Sequence, residues 1–126
     1  MLRLQGVDEK DLLKHVGLAL AEYLVGTVNI PPVETKELKG SYLDREELIV
    51  SVMNDLIFEA SVNGIVLPDM QNIEIRDRFY SITASGAKVD GKTLVWKGEI
   101  KAATFGGLEV KTLPDSTLQA DIILDT

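Results

Sequence analysis

Between Asp44 and Gly64 the chain reads DREELIVSVMNDLIFEASVNG, and no other stretch restricts the fold as much. Leu48, Ile49, Val52, Met53, Leu56, Ile57 and Ala60 recur at i, i+3, i+4 spacing, the period of a helix with one apolar face. Asp44 stands three residues ahead of Glu47, as in a capping box, and Asn63-Gly64 is a natural helix end. Such a stripe has to be covered, so the remaining residues must supply a surface to pack on it.

Leu12, Leu13, Val16, Leu20, Tyr23 and Leu24 predict a second helix over residues 9–25, with Asp8 as N-cap and Gly26 at its end. Elsewhere the apolar period is two. MLRLQGV and VETKELKG alternate as short strands, separated by VNIPPV, whose paired prolines suit neither helix nor central strand. NIEIRDRFYSITASG reads as two strands turning at Asp77-Arg78, and Asp90-Gly91 is a further turn signal. LVWKGEIKAATFGGLEVKTL reads as strand with a bulge or kink at Gly106-Gly107. Pro114-Asp115 then turns the chain into a closing strand, TLQADIILDT. Two helices followed by a run of strands predict an α+β domain, its helices on one face of a mostly antiparallel sheet. At 126 residues this is one domain, with no repeat and no linker.

Composition removes several functions. The net charge is −7 with only 13 Lys and Arg, spread thinly, so a surface that tracks phosphates and binds nucleic acid directly is not expected. An acidic surface suits solubility, a cation, or a partner with a basic groove. Zero Cys removes disulfides and thiolate catalysis. No apolar run is long enough to span a bilayer and no signal-peptide pattern opens the chain, which makes the cytoplasm the default compartment.

The sequence contains no GxGxxG, Walker loop, GxSxG or CxxC, and the glycine pair at 106–107 has no helix after it to cradle a phosphate. The single histidine, His15, lies beside Lys14 opposite the main apolar face, where nothing in the sequence orients it for catalysis. Asp77 and Asp90 sit in turns for backbone reasons. Trp96 and Phe105 are either core residues, the commoner place for aromatics, or anchors of a binding surface.

The last strand is harder to dismiss. Alternation puts Ala120, Ile122 and Leu124 of ADIILDT on one face and Asp121, Ile123 and Asp125 on the other. The Asp125 carboxylate and the α-carboxylate of Thr126 can converge on one hard cation, which takes clustered oxygen ligands. Lys101, just ahead of two alanines in EIKAATF, can neutralise such a cluster or reach a partner's phosphate. By periodicity alone, a solvated strand end and a solvated lysine are the commoner account.

GEIKAATFGGLEV resembles the signature segment of the archease family, close to E-V-K-A-x-T-Y-x-x-L-x-V. ADIILDT is similar to that family's closing strand, typically A-R-V-I-L-D and one last apolar residue. DLLKHVGLALAEYL resembles its first helix and DREELIVSVMNDLIFEASVNGIVL its second, so the likeness runs from Met1 to Thr126 in order. The resemblance implies an SHS2-like α+β fold and a non-catalytic protein cofactor of an RtcB-type RNA ligase. Such a cofactor promotes guanylylation and multiple turnover in tRNA splicing or RNA repair.

It also implies a divalent metal (Ca, Mg or Mn), with the family's ligands carried over to Asp125 and Thr126 and its functional lysine to Lys101. The family's third ligand belongs to an H-T-A-D segment just before the first strand; MLRLQG has no counterpart ahead of it, and Asp8 and Asp11 belong to the helix. Metal affinity should therefore fall. A family histidine ahead of the lysine segment is replaced by TLVWKG. The alternative is a divergent archease-like interaction or chaperone-like module without a complete metal site. A carboxylate-dependent hydrolase is the weakest reading, because no nucleophile pairs with a base. Self-association is left open.

Overall fold

The structure, a computed structural model, describes residues 2–126, and for residues 104–108 the backbone alone. Its elements run β1 (Leu2–Gly6), α1 (Glu9–Val25), β2 (Glu34–Ser41), α2 (Arg45–Asn63), β3 (Ile65–Arg76), β4 (Phe79–Lys88), β5 (Ala102–Thr112) and β6 (Leu118–Asp125).

Both helices form where the apolar period and the caps place them. The Asp8 carboxylate accepts from Asp11 N–H at 2.8 Å, while Val7 N–H donates to Asp11 at 2.9 Å, a reciprocal cap. Asp44 accepts from Glu47 N–H at 2.8 Å. Each helix ends on a left-handed glycine, Gly26 at φ 74° and Gly64 at φ 66°, whose N–H returns to a carbonyl of the last turn. All seven apolar residues of the α2 stripe are buried, and Val50 with them. Tyr23 departs from the α1 expectation: it is half exposed and packs its ring against Gly98 rather than into the core.

The strands pair antiparallel throughout, in two three-stranded sheets rather than one: β1-β6-β5 and β2-β4-β3. α1 lies against β3, β1 and β6, and α2 against β5, β3 and β2, so each helix touches both sheets. One continuous core results, centred on Leu12, Leu13, Val52, Met53, Ile82 and Ile122. Asp77 and Arg78 turn the β3–β4 hairpin at φ 54° and 64°, as a two-residue turn of this hand requires.

Two strand limits differ from the sequence reading. β3 begins at Ile65, seven residues before Asn72, because a buried IVLP run carries no alternation to read. Conversely, residues 94–101 form no strand; two of their amides, Lys97 and Gly98, donate to the Leu24 carbonyl at 2.7 and 3.3 Å instead of to a sheet.

Two contacts tie the hairpin to its surroundings. β3 shifts register between Val66 and Asp69, and there the Val66 carbonyl crowds Gly86 so closely that a Cβ would lie 1.8 Å from the oxygen. The buried Tyr80 hydroxyl donates to Asp55 of α2 at 2.6 Å. Burial, then the Asp55 hydrogen bond, pushes the Tyr80 phenol well above its ordinary range. Burial also raises the Asp55 carboxyl, partly offset by the Tyr80 bond.

Gly86→Ala is expected to cost roughly 3 kcal/mol, since the colliding atom is backbone and cannot swing away; chemical denaturation measures it. Tyr80→Phe is expected to cost about 1–2 kcal/mol near neutral pH by leaving a half-buried carboxylate without its donor. The phenol's folded pKa is raised, so its share of stability is complete below the unfolded value of 10.0 and is lost as pH climbs above it. Urea midpoints across that range should fall with pH in the parent and less steeply in Tyr80→Phe.

Candidate functional site at the end of the β5–β6 ladder

β6 is the central strand of its sheet, held by β1 on one side and β5 on the other. Its alternation is as the sequence indicates: Ala120 and Ile122 are fully buried and Leu124 half-buried, while Ile123 and Asp125 are exposed on the other face. Ala102 pairs with Asp125, Ala103 with Leu124 and Thr104 with Ile123. Just ahead of β5, the Lys101 N–H donates to the Asp125 carbonyl at 2.6 Å. That bond sets the Lys101 backbone beside Asp125, with Thr126 the next residue along. Paired strands run about 4.8 Å apart, so Lys101, Asp125 and Thr126 come together at one end of one sheet, and all three are exposed.

The sheet's outer face shows which other carboxylates are engaged. Asp121 accepts from two guanidinium nitrogens of Arg3, Nε and Nη2, at 2.7 and 3.2 Å, and those bonds hold its carboxyl below the usual carboxylate range. Glu109 pairs with Lys111 at 3.5 Å. Among the described residues no three His, Cys, Asp or Glu side chains gather as metal ligands. The carboxylate of Asp125 is an oxygen donor, the ligand type a hard divalent cation takes.

A feature with no signal in the sequence lies behind the tip. β5 is the edge strand, and α2 covers its open side at two points. Asn54 accepts from Ala103 N–H at 2.8 Å and donates its amide to the Ala103 carbonyl at 3.3 Å. Glu46 accepts from Val110 N–H at 3.3 Å. Between these points β5 shifts register, from Thr104 to Glu109, across the glycine pair expected to form a bulge.

The remaining candidates fall elsewhere. His15 is oriented, contrary to the sequence reading: Nδ1 bonds the Gln5 carbonyl and Nε2 lies 3.8 Å from Asp11. Gln5 pairs with Gln119, toward the end of β6 away from Asp125, so this histidine joins α1 to β1 rather than serving the tip. Asp90 is the turn residue expected, its carboxylate accepting from Lys92 and Leu94 N–H, which lowers its pKa. Trp96 is not a core residue. It is 43% exposed, beside a groove of about 690 Å³ lined by Leu24, Val62, Asn63 and Ile100. The Phe105 side chain lies outside the described residues. As the chain's one tryptophan, Trp96 should give native fluorescence that acrylamide quenches about as readily as that of a half-exposed indole; strong protection would place it back in the core.

No helix among the described residues is long and apolar enough to cross a membrane. The chain aligns with the protein archease of Pyrococcus abyssi at 25% identity, over 98% of this chain and 89% of that one. The protein archease of Methanosarcina barkeri is 29% identical over 95% and 84%. Two solved structures share the fold. One is the crystal structure of a Thermotoga maritima archease described as a possible chaperone, with TM-score 0.69, 24% identity and coverage of 99% and 88%. The other is the solution structure of Methanobacterium thermoautotrophicum protein 1598, with TM-score 0.75, 22% identity and coverage of 98% and 89%. The model of the Archease protein family (MTH1598/TM1083) matches residues 1–126, and the chain belongs to that family.

Proposed function

We propose that this chain is a non-catalytic, cytoplasmic protein cofactor of an RtcB-type RNA ligase, promoting its guanylylation and multiple turnover in tRNA splicing or RNA repair. One observation carries the reading: the Lys101–Asp125 backbone bond, which joins the lysine segment to the acidic strand end on an exposed tip. Family membership supports the accessory role.

The tip projects as a strand end, a shape suited to entering a partner's groove. The net charge of −7 favours association with a groove built to hold RNA, and salt should slow that association. Lys101 brings an ammonium on a flexible stem to a tip otherwise anionic, where it can meet a phosphate of the bound nucleotide or RNA. Asp125 and Thr126 would hold a divalent cation, whose charge would let two carboxylates approach other anionic groups.

Lys101→Ala and Asp125→Ala are each expected to reduce stimulation of ligase guanylylation at least roughly tenfold while leaving the melting temperature within a few degrees, since both positions are exposed. Parental stimulation by both variants would remove the tip from the mechanism. The groove beside Trp96 favours a second reading, an interaction or chaperone-like module. Under it, Trp96→Ala would abolish partner capture from native cells, and the ligase would be missing from what the parent captures.

A further inference from the structure

We infer that Asn54 is a positioning residue of the tip, its carboxamide clamping the Ala103 peptide to α2 and so setting where Lys101 stands against Asp125. The inference rests on the proposed role of Lys101 and Asp125, but its physical part can be tested without a ligase.

Ala103 is 4% exposed and lies on the edge strand, where its backbone groups need a partner other than water. Asn54 supplies both, accepting from the N–H at 2.8 Å and donating to the carbonyl at 3.3 Å. Only a carboxamide offers a donor and an acceptor side by side at this reach. Aspartate would set an oxygen against the Ala103 carbonyl, and glutamine is one methylene too long for the same spacing. Ala103 is two residues from Lys101 and pairs with Leu124, the neighbour of Asp125. The bond from Lys101 N–H to the Asp125 carbonyl is therefore the next restraint beyond the clamp. On the far side of the register shift, Glu46 holds Val110 separately, so Asn54 alone among the described side chains fixes the tip-proximal part of β5 from the helix side.

Two measurements decide it, on Asn54→Ala and Asn54→Asp, with Gln71→Ala as control because the Gln71 side chain bonds Asp69 on β3, away from the tip. In the first, amide exchange at Lys101 is expected to quicken about tenfold in both variants, and at Ala103 in Asn54→Ala, while Ile82 in β4 keeps its parental rate and the control changes neither. In the second, maximal ligase stimulation is expected to fall roughly tenfold with the half-saturating concentration little changed. Adding Asn54→Ala to Lys101→Ala should then cost nothing more, because both act through one group; a purely structural asparagine would give additive losses.

Unchanged exchange at Lys101 overturns the inference, whether or not the ligase responds. So does parental stimulation by Asn54→Ala when Lys101→Ala is inactive, a result that leaves the proposed function standing. A parent that fails to stimulate any ligase removes the proposed function instead, and amide exchange alone then decides whether the clamp holds. If Asn54→Ala does not fold, Asn54→Asp, which keeps the acceptor for Ala103 N–H, decides by the same comparisons.

Discussion

Two three-stranded sheets, each apolar on one face, cannot stand alone in water, and the coverage of both by α2 is the constraint on which the rest depends. The helix lies against β5 of one sheet and β3 and β2 of the other, which explains why Val50 is buried along with the seven stripe residues. Its polar residues do as much as its apolar ones. Asp55 receives the Tyr80 hydroxyl from one sheet, while Asn54 and Glu46 hold the edge strand of the other. Apolar burial drives the layers together without fixing their mutual register; directional bonds from three side chains of one rigid helix do that.

Much of this fold is legible in the sequence because the signals are local. Asp8, Asp44, Gly26 and Gly64 mark the helix limits through caps that involve only near neighbours, and the Asp77-Arg78 turn likewise. The misreadings all involve partners distant in sequence. The start of β3 is buried on both sides, so IVLP shows no period. Residues 94–101 look strand-like, yet Lys97 and Gly98 bond the end of α1, some seventy residues earlier in the chain. Trp96 and Tyr23 are exposed because that irregular segment, and not a strand, passes over the helix ends. The division into two sheets is a choice among strand pairings that alternation leaves equally open.

The candidate site divides the same way. Which residues of the last strand face outward follows from alternation, and Asp125 is readable on that ground. That Lys101 stands beside it follows from the β5–β6 register, which a bulge makes impossible to count from sequence; only the family resemblance joins the two without the structure. Asn54 gives no signal at all, because an amide in mid-helix ordinarily faces water. Asp121, equivalent to Asp125 by alternation, is taken by Arg3 across the β1–β6 pair, so two carboxylates alike in pattern differ in availability.

That difference bears on how an exposed tip can also be well placed. Strand ends usually fray, and a solvated aspartate on a frayed end presents no fixed geometry. Here β6 is central rather than peripheral, paired with β1 as far as Ile122 and with β5 as far as Asp125, and Ala120 and Ile122 anchor it in the core with no exposed area. The Arg3 bonds brace the outer face two pairs behind Ile123, and the Asn54 clamp restrains the neighbouring strand from the helix side. Order is supplied from behind and beside the tip, leaving its front open to a partner. Whatever entropy a tip held this way has lost on folding need not be lost again on docking.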